Sequence, residues 1–242
     1  MSFTPARSPP RFGHAPAIRR DYPELVAAVL AVDGITADAA ADAAVERFET
    51  LARTRLGDRR ESELVEIQAW RRAFARMGLE PTRYRCAAEA LLRRFRKEGT
   101  LPRIHPLVDL CNALSLAFAI PIAAFDTAKV AGSLEVRYAT GAETYETFSG
   151  ETEHPAPGEV VFADEANRAH ARRWSNRQSG RSAVRAVTAS ALVVAEALHE
   201  TARADVERLR AAASEELSRI WSVGGSATLT SAAPWFEFEN GP

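Results

Sequence analysis

Residues 104–126, IHPLVDLCNALSLAFAIPIAAFD, constrain the fold of this chain more than any other stretch. Leu107, Val108, Leu110, Cys111, Leu114 and Leu116 recur at helical spacing on a surface that is apolar nearly all round, the pattern of a buried helix. Asp109 and Asn112 interrupt it three residues apart and so share one helix face. The ring of Pro121 disfavours a helical residue at Ile120, so the helix ends before it. The chain then continues extended from Pro121 to Phe125 and closes on Asp126. A buried helix feeding straight into a short strand forms the floor of a pocket.

At 242 residues and 46% hydrophobic content the chain can bury a sizeable core as one domain, which excludes a disordered protein. No apolar run approaches the roughly 18 residues of a membrane span, and MSFTPARSPPRFGHAP carries arginines without the apolar centre of a secretory signal. A cytoplasmic protein with no membrane association is expected. Cys86 and Cys111 lie within apolar helical patterns and lack Cys-x-x-Cys spacing, which predicts buried reduced thiols. His14, His105, His154, His170 and His199 show no metal-ligand spacing, so no zinc and no other cofactor is expected. The net charge of −1 excludes a strongly basic nucleic-acid binder, yet the cations are clustered. Arg83, Arg85, Arg93, Arg94, Arg96, Lys97 and Arg103 form one basic region, and Arg168, Arg172, Arg173, Arg177, Arg181 and Arg185 another. Arginine's planar fork suits phosphate.

In chain order, residues 1–15 read as a flexible tail rich in Pro, Ser and Arg, followed by a single domain over 16–242. YPELVAAVLAVDGI (22–35) is either a helix opened by Pro23 and Glu24 or a buried strand ending at Asp33-Gly34. Residues 36–56 and 62–77 read as amphipathic helices closed near Gly57 and Gly78, and together make a helical part over 36–78. In TRYRCAAEALLRRFRKEG, Thr82 is the expected N-cap and Gly99 the C-cap. Arg83 and Arg85 would then oppose the helix dipole, a local cost that points either to an anionic ligand or to Glu89 one turn on. Beyond Asp126 the chain reads as strands over 127–130, 134–140, 144–148 and 160–163, between turns at Gly132, Gly141, Gly150 and Gly158. Residues 164–182 read either as a stretch whose indole and guanidiniums hold a ligand or as a loop whose Trp174 plugs the core and whose arginines are solvated, 183–187 as a strand, and 190–198 as a strand or the first turn of the next helix. Residues 200–221 are an amphipathic helix, and Trp235, Phe236 and Phe238 in the tail are expected to pair as a last strand or pack on the core.

Val108-Asp109-x-x-Asn112, Leu116 and Pro121-x-x-Ala124-Phe125-Asp126 together resemble, without a gap, the B3 part of the B3/B4 domain of the phenylalanyl-tRNA synthetase β subunit. Arg173-Trp174-Ser175-Asn176-Arg177-Gln178 resembles the Arg-x-Trp-x-x-Arg-Gln signature of stand-alone B3/B4 proteins. Ser190 to Glu196 is similar to the synthetase's Thr-x-x-apolar-apolar-x-Glu. The resemblance covers about 82–198. It implies an α+β fold, a mixed or antiparallel β core flanked by helices, with the N-terminal helices and a C-terminal helix and tail (200–242) added. It also implies a strand over 22–35.

The B3/B4 domain proofreads mischarged tRNA, so the resemblance implies a tRNA-binding protein and an editing deacylase that hydrolyses the aminoacyl ester. It places Glu196 in the editing pocket, with Asn112 and His105 as further catalytic candidates. Arg83, Arg85, Asp109, Phe125, Asp126, Arg173, Trp174, Arg177 and Gln178 are candidates for binding the aminoacylated 3′ end, where an indole between guanidiniums can stack on a ring and hold phosphate. The pocket histidine of the synthetase pattern is replaced by Ala123. No nucleophile motif declares itself, so hydrolysis would rest on positioning a water against a labile ester. A non-catalytic module binding tRNA or aminoacyl ends and an amino-acid sensor remain as alternatives, and no heptad supports an oligomer.

Overall fold

The computed structural model describes residues 9–239. Eight of the fifteen residues expected as a tail, 1–8, lie outside that range. The rest do not form a tail: Arg11–His14 is strand β1 and Pro16–Asp21 helix α1.

Two sheets face each other. The first runs β11 (Ser222–Leu229), β2 (Val26–Asp33), β10 (Ser190–Ala197), β3 (Ile122–Asp126), all antiparallel. The open choice over 22–35 thus falls to the strand, because β2 lies between two partners with both faces covered. Its alternate residues divide between two cores. Ala28, Leu30 and Val32 pack with Val193 and Ala195 of β10 against helices α2 (Asp42–Leu56), α5 (Pro106–Phe118) and α6 (Ala202–Ile220). Ala27 and Val29 pack with Leu192, Val194 and Phe125 against the second sheet and helices α3 (Val65–Arg76) and α4 (Ala87–Glu98).

The second sheet is mixed, in the order β12 (Trp235–Glu237), β1, β4 (Leu134–Tyr138), β7 (Val160–Asp164), β8 (Arg168–Arg172), β5 (Thr144–Glu146), β6 (Thr152–Glu153), with β9 (Arg177–Gln178) off β8. β1 joins β4 in parallel and β12 antiparallel, so the aromatic tail does close as a strand. Gly13 is required there, since a Cβ on it would meet the Trp235 ring at 2.3 Å.

Helix α5 behaves as its composition dictates. His105 is its N-cap, accepting the Leu107 amide, and Asp109 reaches back to the Ile104 amide at 2.9 Å. It ends at Ala119, before Pro121.

Four local expectations are corrected. Helix α4 begins at Ala87, five residues after Thr82, whose hydroxyl is spent on Glu80. The α4 terminus is capped from outside: the Ser175 carbonyl accepts the Ala87 amide at 2.8 Å. Arg83 and Arg85 therefore precede the helix rather than oppose its dipole. Residues 127–129 form a 3₁₀ turn, because Asp126 accepts the Ala128 amide and bends the chain. Residues 164–182 contain β8 and β9 rather than a continuous loop, while 183–187 contribute only a bridge from Ala183 to Phe125.

Candidate functional site

Glu196 organises the site. It stands on β10 on the same face as Leu192 and Val194, so strand alternation points it between the sheets. It is 3% exposed, and its carboxylate accepts from buried donors contributed by distant elements. The Trp174 indole N–H donates to Oε1 at 3.1 Å and Oε2 at 3.0 Å. His14 Nε2, from β1, lies 2.6 Å from Oε1. Arg19, from α1, approaches His14 Nδ1 at 2.9 Å and donates to the Leu25 carbonyl at 2.7 Å. Burial holds the His14 imidazole below its ordinary value of 6.5, Arg19 adding to the effect and Glu196 opposing it. The edges of the Tyr22 and Trp70 rings cover Trp174, with centroids at 4.8 and 5.0 Å.

A cleft of about 70 Å³ opens beside Glu196. Its walls are mainly apolar: Pro121, Ile122, Ala123, Phe162 and Val194, with Trp174 and the polar Asn176, Arg177 and Gln178 at one side. Ala123 pairs with Val194 in the sheet and faces the same way as Glu196, so the residue standing in the position of the synthetase histidine lines this cleft. A second hollow of about 140 Å³ lies on the other face of β3, lined by Val108, Cys111, Asn112, Ala124 and the exposed Ile104 and Phe148. Ile122 and Gln178 line both hollows. Asn112 and Glu196 are thus separated by an edge strand. The carboxamide of Gln178 donates to the Ala124 carbonyl at 2.7 Å and closes part of that edge.

The loop after β8 is strained where it builds the cleft. Arg173 and Trp174 have φ of 47° and 55°, consecutive non-glycine residues in the left-handed region. This reversal drives the indole inward to Glu196 and leaves Arg173 outside. There Arg173 and Arg83 both lie over the Tyr84 ring, at 4.9 and 5.3 Å. Arg173 also donates its backbone N–H to Glu159 at 3.0 Å and, against the effect of burial and alongside Arg172, its charge helps hold that carboxyl below its ordinary value. Arg85 lies 3.7 Å from Glu89, and its carbonyl accepts from Asn176 at 2.8 Å. Arg177 is paired with Glu153 at 3.1 Å.

The remaining sequence candidates lie elsewhere. His105 and Asp109 cap α5 and line a separate hollow with Asp38 and Asp42, so neither is brought to the Glu196 cleft. Phe125 is fully buried against Phe162, with centroids 5.3 Å apart. Asp126 is buried, accepting from Ala128 and from the Thr188 hydroxyl at 2.8 Å. His14, Arg19, Trp70 and Tyr84 escaped sequence reasoning. His14 and Arg19 sit in what composition marks as a tail and its border, and only the β1–β4 pairing reveals them. Burial pushes both Cys86 and Cys111 up to about 12, which leaves no thiolate nucleophile at neutral pH. Glu66, His199 and Asp205 offer donor atoms within 4.8 Å of one another. Arg55 pairs with Glu66 and Arg208 with Asp205, so the charge there is balanced without a cation.

Residues 69–223 match the B3/4 domain family. The chain is 34% identical over 68 residues to the phenylalanine–tRNA ligase beta subunit of Legionella pneumophila strain Paris, covering 28% of this chain and 9% of that one. With the same subunit from Cereibacter sphaeroides it shares 34% over 73 residues, 30% of this chain and 9% of the other. With that from Nitrosospira multiformis it shares 35% over 80 residues, 31% and 10% respectively. The chain thus spans about a tenth of the length of these relatives. An N-terminal fragment of the phenylalanyl-tRNA synthetase beta subunit from Pyrococcus horikoshii superposes with a TM-score of 0.46 at 9% identity, covering 96% of this chain and 54% of the fragment. With the family match extending over more than half of its length, the chain belongs to the B3/4 domain family.

Proposed function

We propose that this protein binds the aminoacylated end of tRNA and hydrolyses the ester of mischarged aminoacyl-tRNA. The observation that carries the reading is a buried carboxylate, Glu196, at the base of an apolar cleft beside a loop where the Arg83 and Arg173 guanidiniums lie over the Tyr84 ring. Arg83 and Arg173, both lying over the Tyr84 ring, hold phosphate. The cleft over Pro121, Ile122 and Ala123 takes the amino-acid side chain. Glu196 orients the α-ammonium group or the attacking water. Asn112 and Gln178 contact the part of the ligand that passes over Ile122 into the second hollow. Asp109, Phe125 and Asp126 serve as framework. Arg85 and Arg177, each near a glutamate, contribute positive potential beside the cleft. Catalysis rests on holding water and ester together, because among the described residues no thiolate lines the cleft and the one hydroxyl that does, Ser175, has no base hydrogen-bonded to it.

The replacement of the synthetase histidine by Ala123 favours a second reading, in which the protein binds the same end without cleaving it. Incubation with a panel of mischarged tRNAs separates the two. Hydrolysis faster than the spontaneous rate for at least one pair, lost in Glu196→Ala, is the expected result. Salt-dependent binding with no acceleration leaves the binding module. No binding at low salt removes both readings and leaves the amino-acid sensor. The Arg83→Ala/Arg173→Ala double variant should shallow the salt dependence of binding by about 2 in log–log slope at most.

A further inference from the structure

His14 is 1% exposed and absent from the cleft lining, so it does not stand in for the histidine missing at Ala123. Its two nitrogens are nevertheless both engaged. Arg19 Nη2 lies 2.9 Å from Nδ1, and a guanidinium can only donate. Nδ1 must therefore offer its lone pair, and the ring proton of the neutral imidazole sits on Nε2. That proton points at Glu196 Oε1, 2.6 Å away. With the Trp174 indole N–H also donating, both Glu196 oxygens act as acceptors, the arrangement of an ionised carboxylate. Arg19 and Glu196 are the charged groups facing the ring, from α1 and β10, and the Phe12 ring packs edge-on at 5.5 Å. Arg19, His14 and Glu196 thus form a buried cation, neutral relay and anion.

The geometry points to His14 as a positioning residue for the cleft: clamped by Arg19 as its Nε2–H tautomer, it pins Oε1 of Glu196 and leaves the second lone pair of Oε2, beside the Trp174 bond, to receive a hydrogen-bond donor from the ligand or water. This rests on the proposed use of the Glu196 cleft and specifies how that cleft is charged. A second proton on His14 would set an N–H against the guanidinium, donor against donor. The clamp therefore disfavours an imidazolium beside Glu196, whose charge would offset that of the carboxylate. A group entering as an acceptor, such as a carboxylate, is rejected, and an ammonium, hydroxyl or water is admitted.

The test uses the full chain and two independent readouts. Long-range ¹H–¹⁵N correlation spectra of the imidazoles should show His14 as the neutral Nε2–H tautomer throughout pH 5.5–8, and Arg19→Met should release it to take up a proton within that range. A wild-type His14 that titrates near its ordinary value, or carries its proton on Nδ1, overturns the proposal. Hydrolysis of the mischarged tRNAs gives the second readout. His14→Leu should lower kcat/KM about tenfold or more, while His14→Gln, whose carboxamide places a neutral donor near the Nε2 position, should stay within about threefold of wild type. Circular dichroism confirms that both variants fold. Equal rates for His14→Leu and wild type also overturn the positioning role. If wild type cleaves no ester, the hydrolysis reading fails, and the ring-nitrogen spectra alone decide this proposal.

Discussion

Trp174 illustrates how far a single residue's chemistry departs from its motif. Its neighbours in sequence, Arg173 and Arg177, suggest an indole that stacks on a ligand base, but the side chain is fully buried and uses its N–H on Glu196. The Arg83 and Arg173 guanidiniums lie instead over the ring of Tyr84. Trp174→Phe removes the N–H that Glu196 accepts and also leaves a small cavity between Tyr22 and Trp70, so part of the loss is packing. It should cost about 1.5–3 kcal/mol of stability, measured by urea unfolding, and a loss under about 0.5 kcal/mol would show that the bond does not support the buried carboxylate. Glu196 itself was legible as a site candidate from the Ser190 to Glu196 pattern. Its partners were not, because they come from residues 14, 19 and 174, and hydrogen bonds across such separations leave no periodicity.

At the scale of elements, β1 is the joint that places His14. It is only four residues long, yet it pairs with β4 on one side and β12 on the other, linking the two ends of the chain. Gly13→Ala would push a methyl into the Trp235 ring and the Pro234 carbonyl, at 2.3 and 2.5 Å. The expected outcome is detachment of β12, seen as raised amide exchange over 235–238 and a loss of roughly 1–3 kcal/mol by the usual cost of overpacking. Unchanged exchange there would mean that β12 contributes little to holding β1. The start of α4 shows why helix boundaries near the site were misread. Thr82 has the residue type of a cap, but the cap is the Ser175 carbonyl, almost ninety positions away in the chain and contributed by the cleft loop. The end of α4 was legible because Gly99 caps it locally, in the left-handed conformation at φ 77°.

For the whole molecule, the buried titratable groups predict a two-step acid response. Burial lowers His14 and His105 below 6.5, with Glu196 and Asp109 respectively opposing the shift. As pH falls below 6.5 the unfolded chain takes up protons that the folded chain refuses, so stability declines from that point down through the folded values. A second decline follows at lower pH. Burial alone would raise Glu143 and Asp164, but Thr140 and Arg137 outweigh it for the first, and His170 with the Ala131 and Arg168 amides for the second. Both are held at about 2 against ordinary values of 4.5 and 3.8, so their contribution is lost as pH drops from that range toward 2. Thermal melting at pH 7.5, 5.5 and 3.5 should show Tm falling at each step. In His14→Gln the first drop should shrink. An equal first drop in that variant would exclude His14 as its source.

The sequence by itself determined the elements whose signal is local and repeated. These are the apolar helix 106–118 stopped short of Pro121, the amphipathic helices around 42–56, 65–76 and 202–220, and the strands whose alternation or apolar run persists over several residues. Periodic burial is written into every turn of such segments, so a short window suffices to read it. Through the family resemblance the sequence also marked Glu196 and Ala123 as pocket positions, but that they stand on adjoining strands came from the β3–β10 pairing. Only the tertiary structure decided that Glu196 and Asn112 lie on opposite sides of β3, that His105 and Asp109 cap a helix, and that His14 and Arg19 line up behind Glu196. Those outcomes depend on which face of a strand meets which sheet and on hydrogen bonds spanning 182 residues, and a local pattern carries no record of either.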